Sequence, residues 1–350
     1  MSRPSRAILI LLCLAAAVAA LLNSDFDDGF FSRGLKAYPP FEEAFEKQLS
    51  PSPAQEPAAQ PAVPALDYAP ASDLQARLQR LSTERFQSAD RGRARRYITR
   101  LLQDSGWVVT PQPFGSATDA GTQGVNLVAT QPDAPIAGSL VLGAHYDTVS
   151  GSPGADDNAT GVVAVLETAR ALGQRRSPRP LTLVFFDLEE AGLLGSQAFV
   201  ETYPQVAGAI ILEMLGFRCD QPGCQRYPAG LPTPSQTKGT FLAAVGDRTH
   251  PQLVEAFADS AANASTPEPP LPVLTLTVPT RGPLAPDLLR SDHVPFWRAG
   301  LGAAMLTDTA EFRNPHYHQP SDEVSTLDMA FYQSAVRLVV ARVYRLLWSY

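Results

Sequence analysis

From Asp67 onward, short apolar runs alternate with segments of helical spacing. "SDLQARLQRL" and "RGRARRYITRLLQDSG" carry apolar residues three and four apart, with Ser72 or Asp73 capping the first and Gly106 ending the second. "GWVVTPQPF", "VNLVAT" and "SLVLGAHYD" are short, rich in Val and Leu, and predict strands. Helix "ATGVVAVLETARAL", strand "PLTLVFFDLEE", helix "AGLLGSQAFVETY" and strand "GAIILEML" follow. After a Pro/Gly-rich stretch come strand "GTFLAAVG", helix "HPQLVEAFADSAA", strands "PVLTLTV" and "GLGAAMLTDT", and a closing helix "STLDMAFYQSAVRLVVARVYRLLW". Buried strands alternating with helices of about 12 residues predict an α/β protein, a three-layer α/β/α sandwich on a mixed, mostly parallel central sheet. In such sheets, sites form at the carboxyl ends of strands.

Two upstream regions break this pattern. Arg3 and Arg6 precede an uncharged apolar run at residues 7–22. A positive flank and a short apolar core predict a secretory signal, with "AVA" at 17–19 as a cleavage site. The other reading is an uncleaved membrane anchor with its arginines in the cytoplasm. Cys13 follows Leu12, where a lipoprotein signal wants a small residue, so no lipobox is read. Either way the remainder is expected to be exported, to the periplasm or the extracellular space. Residues 23–66 read as a Pro/Ala-rich flexible linker, since "SPSPAQEPAAQPAVPAL" cannot pack a core. "FEEAFEKQL" within it has the spacing of a short helix. Residues 67–350 are expected to form one large domain.

Charge narrows the partners. The 28 Lys and Arg stand against 35 Asp and Glu, for a net charge of −7 with no basic stripe, which disfavours nucleic acid. Two cysteines remain beyond Cys13. They sit in "RCDQPGC", and in an exported protein Cys219 and Cys224 predict a small disulfide-closed turn.

The chemistry lies at the strand ends. "LVLGAHYD" ends in His145 and Asp147, "LVFFDLEE" in Asp187, Glu189 and Glu190, and "AIILEM" in Glu213. "GADDNATG" adds Asp156 and Asp157, while "NPHYHQPSDE" supplies His316, His318 and Asp322 just after the apolar "AAML". Imidazoles and carboxylates capping buried strands along one sheet edge are costly unless a cation resolves the repulsion. Mixed His and carboxylate without Cys suits zinc, and less specifically manganese or cobalt. The groups exceed the three protein ligands of one catalytic zinc, which two metals sharing a carboxylate would explain.

These motifs, in order, are His-x-Asp at 145–147, Asp-Asn at 157–158, Glu-Glu at 189–190, the strand-end acid Glu213, and Tyr-His-x-x-x-Asp from Tyr317 to Asp322. They resemble the secreted zinc aminopeptidases with two co-catalytic metals, relatives of the glutaminyl cyclases, over about residues 70–345. The resemblance implies a zinc-exopeptidase-like fold and two Zn²⁺ per chain. His145, Asp157 and Glu213 would hold one ion. Asp157, Glu190 and His318 would hold the other, with Asp157 bridging. Glu189 would be the general base, Asp147 would orient His145, and Tyr317 would steady the tetrahedral intermediate. A cis peptide between Asp157 and Asn158 is implied as well. Peptides with a free N-terminus are the expected substrates, attacked by a hydroxide formed between the two zincs.

One position departs from the family, which commonly carries Asp where this chain has Glu213. That leaves room for a one-zinc acyltransferase like the glutaminyl cyclases. A non-catalytic exported binding domain of the same fold is the reading from another class. Asp156 is expected to cap a helix rather than bind metal, and His316 to face solvent or back the site. Asp187 reads as structural. Asp292 and His293 in "SDHVPFW" either line the pocket or begin a short helix. The patternless stretch from Gly216 to Gly239 leaves the same strand end as Glu213 and is expected to wall the substrate pocket.

Overall fold

Among the described residues eight strands form one sheet: β1 (Val108–Phe114), β2 (Gly124–Thr130), β3 (Leu140–His145), β4 (Leu181–Phe186), β5 (Gly208–Glu213), β6 (Leu242–Asp247), β7 (Val273–Val278) and β8 (Ala303–Thr307). The computed structural model describes residues 63–116, 120–229, 231, 234–258, 271–279 and 286–348. All of these belong to one compact unit, Ser52–Tyr350. The expected signal or anchor at 1–22, the helical stretch at 41–49 and the linker up to 62 lie outside the described residues.

The strand order is β1-β2-β4-β3-β5-β8-β6-β7. The centre, β4-β3-β5-β8, is parallel throughout. β1 and β2 add antiparallel at one edge; at the other, β6 runs against β8 and β7 runs with β6. Sequence explains the placement. β3 and β4 are buried at every position, as expected of Val, Leu and Phe runs covered on both faces. β1 contains Pro111 and Pro113, which share one side of the strand and lack the N–H a neighbour would need, so it takes the edge.

Helices α1 (Ala71–Leu81), α2 (Ser88–Asp104), α3 (Gly161–Leu172), α4 (Leu194–Thr202), α5 (Gln252–Ala258), α6 (His293–Arg298) and α7 (Met329–Trp348) make the outer layers. α3 lies on β3 and is covered by α7, which also touches α1 and α5. α4 and α6 pack together on the opposite face, against β2, β5 and β8. The expected three-layer α/β/α sandwich is the fold. Burying side chains such as Phe331, Val336 and Leu347 along α7 stabilises it by roughly 1.5–3 kcal/mol each. No helix among the described residues is long and apolar enough to cross a membrane.

The segment just ahead of α1 packs into the core. Leu66 and Ala69 are buried in the core, and buried Glu167 on α3 accepts the Ala69 amide at 2.6 Å and pairs with Arg77 and Arg170. Asp187 is structural as expected: it pairs with Arg91 at 2.8 Å and Arg95 at 3.1 Å, tying α2 to the end of β4.

Candidate metal centre

Because β3, β4, β5 and β8 are parallel, their carboxyl ends share one edge of the sheet. His145 is the last residue of β3 and Glu213 the last of β5. Glu189 and Glu190 follow β4 after a left-handed Leu188, and His318, itself left-handed, comes from the segment beyond β8. Asp157 sits in the turn Ala155–Thr160 that leads into α3, and its peptide bond to Asn158 is cis, as expected.

The five expected ligands meet there. His145 Nε2 lies 3.2 Å from Asp157 Oδ1 and 3.3 Å from Glu213 Oε1. His318 Nε2 lies 3.2 Å from Asp157 Oδ2 and 3.2 Å from Glu190 Oε2. Asp157 therefore turns one oxygen to each imidazole. Two donor atoms on one tetrahedral zinc, each about 2.0–2.1 Å from it, stand roughly 3.3 Å apart. The His318 nitrogen, despite its two carboxylate neighbours, makes no hydrogen bond, and neither does Glu190 Oε1. Buried polar atoms so close to one another and unpaired fit a cation between them. Ligand atoms of His145, Asp157 and Glu190 all lie within 4.8 Å of one another, linking the two groups.

The charges agree. Burial pulls the His145 imidazole down, but Glu213 and Glu189 outweigh it and raise its pKa well above the ordinary value. Burial likewise opposes protonation of His318, yet contact with Asp157 and Glu190 raises it to about 10. Asp157 is held below the usual range by the two histidines, against its burial. Glu190 is pushed to about 7 by burial and the Asp157 charge. Glu189 is buried and raised well above the carboxylate range, by burial first and then by Glu213, Asp292 and Glu190, against the pull of His145. Glu189, Glu190 and both imidazoles raised together mark a buried excess of negative charge.

Neighbouring groups hold this set. Asp147 lies 3.5 Å from His145 Nδ1 and accepts the amides of Glu189 and Glu190 at 3.2 Å, one on each oxygen. Tyr317 stacks on His318 with ring centres 3.8 Å apart. Several positioning groups escaped the sequence reading. Ser291 donates to Glu213 Oε2 at 2.6 Å. Asn158 donates to Leu212 O at 2.8 Å and accepts the amides of Gly161 and Met214 at 3.1 Å, fixing the Asp157 turn against the end of β5. Asp322, known only as a motif residue, accepts the amides of Asp156 at 2.9 Å and Asp157 at 3.1 Å. Buried Arg85, before α2, donates to Tyr146 O at 2.7 Å and Gly154 O at 2.9 Å, gripping both ends of the loop after β3.

Asp156 does not cap a helix. Its carboxylate makes no bond to a backbone amide at the start of α3; it accepts instead from the Gly216 amide at 2.9 Å, Asn314 Nδ2 at 2.8 Å and the Thr160 hydroxyl at 3.3 Å. His316 bonds Ser321 at 2.8 Å on the exposed side. Asp292 precedes α6 without capping it; its carboxylate oxygens are buried and lack hydrogen bonds to the chain, and burial lifts its pKa to about 7 against the pull of His145. His293 is wholly buried, with Nε2 3.0 Å from Leu288 O.

The expected Cys219–Cys224 disulfide is present. Its loop folds back on itself, with Cys219 N bonding Gly239 O at 3.1 Å, and rests on the segment after β8 through Arg226 N to Phe312 O at 2.8 Å.

A sheet of this order with His and carboxylate groups at its carboxyl edge defines a metallopeptidase-type site, and comparison with known proteins agrees. Residues 126–343 match peptidase family M28, and the chain belongs to that family. It is 33% identical to the uncharacterized protein YfbL of Escherichia coli, over 71% of this chain and 77% of that one. It is 28% identical to leupeptin-inactivating enzyme 1 of Streptomyces exfoliatus over 62% of this chain, but spans only 42% of that longer protein. Among solved structures, the LapA aminopeptidase of Legionella pneumophila superposes with a TM-score of 0.61 at 20% identity, covering 79% of this chain and 72% of LapA. A Porphyromonas gingivalis glutaminyl cyclase superposes with a TM-score of 0.58 at 21% identity, covering 80% and 99%. The fold is thus shared by proteins of both names.

Proposed function

We propose that this protein is a zinc-dependent aminopeptidase with two metal ions, exported from the cytoplasm, that removes residues from peptides with a free N-terminus. The observation that carries it is Asp157 facing both His145 and His318, with Glu213 completing one group and Glu190 the other. His145, Asp157, Glu190, Glu213 and His318 would hold zinc there, and the metal would supply a water with a pKa lowered toward about 7 and a Lewis acid for the scissile carbonyl. Glu189, adjacent to the ligand set and outside it, takes a proton from the attacking water and passes it to the leaving amine. Glu189 is buried at the carboxyl edge of the sheet, directly before Glu190. Asp147 keeps His145 and the Glu189–Glu190 backbone in register. The Tyr317 phenol donates to the oxygen that gains charge as the carbonyl is attacked. A substrate α-ammonium sits against the acidic cluster, which favours terminal over internal bonds. Export is supported by the apolar run at 7–22 behind Arg3 and Arg6.

A panel of aminoacyl anilides and N-terminal Gln peptides, assayed with and without chelator, tests this. Chelator-sensitive release of the anilide amine is expected. Cyclisation of Gln peptides without anilide hydrolysis would instead assign an acyltransferase, and a folded, metal-free, inert protein a binding domain.

A further inference from the structure

Arg290 holds a position that the five ligands and the general base do not explain. Its Nη2 lies 3.0 Å from the Tyr317 hydroxyl, and its guanidinium carbon lies 5.9 Å from the centre of that ring. The Tyr317 ring is itself stacked on His318. A guanidinium only donates hydrogen bonds, so the phenol oxygen accepts from Arg290 and its own hydrogen is left for another acceptor. A phenol is protonated at neutral pH, so that hydrogen is available.

Arg290 is fixed from several sides. Nη1 pairs with Glu311 and lies 3.8 Å from Asp287. Glu311 belongs to the turn Ala310–Phe312, which the disulfide loop grips: Arg226 donates to Glu311 O through its side chain and to Phe312 O through its amide. On the other side, His293 bonds Leu288 O at 3.0 Å and so braces the turn Pro286–Leu289 that leads into Arg290. The next residue, Ser291, bonds Glu213. One short segment thus addresses both metal groups, Ser291 at the Glu213 end and Arg290 at the His318 end.

We propose that Arg290 is a positioning residue: it engages the Tyr317 oxygen as acceptor, so that the phenol hydrogen points at the oxygen developing negative charge in the tetrahedral intermediate. No bond is made or broken by Arg290. The inference rests on the peptidase reading, and specifically on Tyr317 as an oxyanion donor. A preorganised donor acts without reorienting during the reaction, and losing one costs on the order of 10²-fold in kcat. An unaimed phenol keeps part of that benefit, so Arg290→Met is expected to lose about 10-fold in kcat with KM changed less than about 2-fold.

The test is a double-mutant cycle on the zinc-loaded protein, reading leucine p-nitroanilide hydrolysis and calorimetric binding of an aminoalkylboronic acid, whose tetrahedral form resembles the intermediate. With Tyr317→Phe in place, adding Arg290→Met should cost nothing further in kcat or boronate affinity, and Arg290→Lys, which can still donate, should recover most of the loss. Multiplicative effects, or a change confined to KM, in a protein that hydrolyses the anilide and binds the boronate would overturn the role of Arg290 alone. Wild-type protein that does neither would overturn the peptidase reading and this inference with it.

Discussion

Ser291 donates a 2.6 Å hydrogen bond to Oε2 of Glu213, leaving Oε1 facing His145 at 3.3 Å. A glutamate is one methylene longer than the aspartate its relatives commonly carry, and its extra freedom must be restrained if it is to bind through one oxygen. The serine hydroxyl supplies that restraint. Ser291→Ala should therefore weaken metal binding at the His145 group by about 10–100-fold, the usual effect of losing a group that orients a ligand. Competition against a zinc chelator reads this, and affinities equal to wild type would dismiss the role of Ser291.

Glu189→Gln keeps the shape of the side chain and removes its capacity to take a proton. It should retain the metal content of the wild type and lose on the order of 10²-fold or more in kcat. Full turnover with intact metal would take Glu189 out of the proton transfer.

His293 gives a pH signature separate from the metal centre. Its imidazole is wholly buried, and burial lowers its pKa to about 4 from an ordinary 6.5, the bond to Leu288 O only partly opposing this. The folded state thus resists a proton that the unfolded chain accepts below pH 6.5. Stability from this residue is complete above about pH 6.5 and falls as pH drops toward 4, by on the order of 3 kcal/mol across the window. His293→Gln can still donate to Leu288 O and has no such titration. Its melting temperature, relative to wild type, should improve progressively between pH 6.5 and 4; a constant offset across that range would contradict the assignment.

Cys219 and Cys224 close a loop too short to constrain the unfolded chain greatly, so their bond acts mainly on local shape. The stretch that carries them begins three residues after Glu213, and Arg226, just past Cys224, grips the turn that holds Glu311. Replacing both cysteines with Ser should change KM or residue preference across the anilide panel more than it changes the melting temperature. Unaltered kinetics together with a loss of several degrees would make the loop a structural brace.

Much of this was legible because strand-end residues are local facts with a global consequence. Once β3, β4 and β5 were read as buried strands of a largely parallel sheet, His145, Glu189, Glu190 and Glu213 had to share an edge. The backing groups were not legible in that way. Ser291 reaches Glu213 from 78 positions along the chain, and Asp322 reaches the Asp157 amide from 165 positions away. Such pairs depend on how α6 and the segment after β8 dock, which no period in the sequence encodes. Asp156 failed as a helix cap for a related reason. In the turn at 155–160 its carboxylate is taken by the Gly216 amide, the Asn314 side chain and the Thr160 hydroxyl, and the two strongest of these partners lie far away in sequence.

On the reading proposed above, Asp157 joins two zinc sites. The most direct measurement is anomalous diffraction at the zinc absorption edge from crystals of the zinc-loaded protein. Two peaks are expected, one between His145, Asp157 and Glu213 and the other between Asp157, Glu190 and His318, about 3.5–4 Å apart as in other paired-metal sites. A single peak, or two that do not share Asp157, would mean that Asp157 bridges no metal pair.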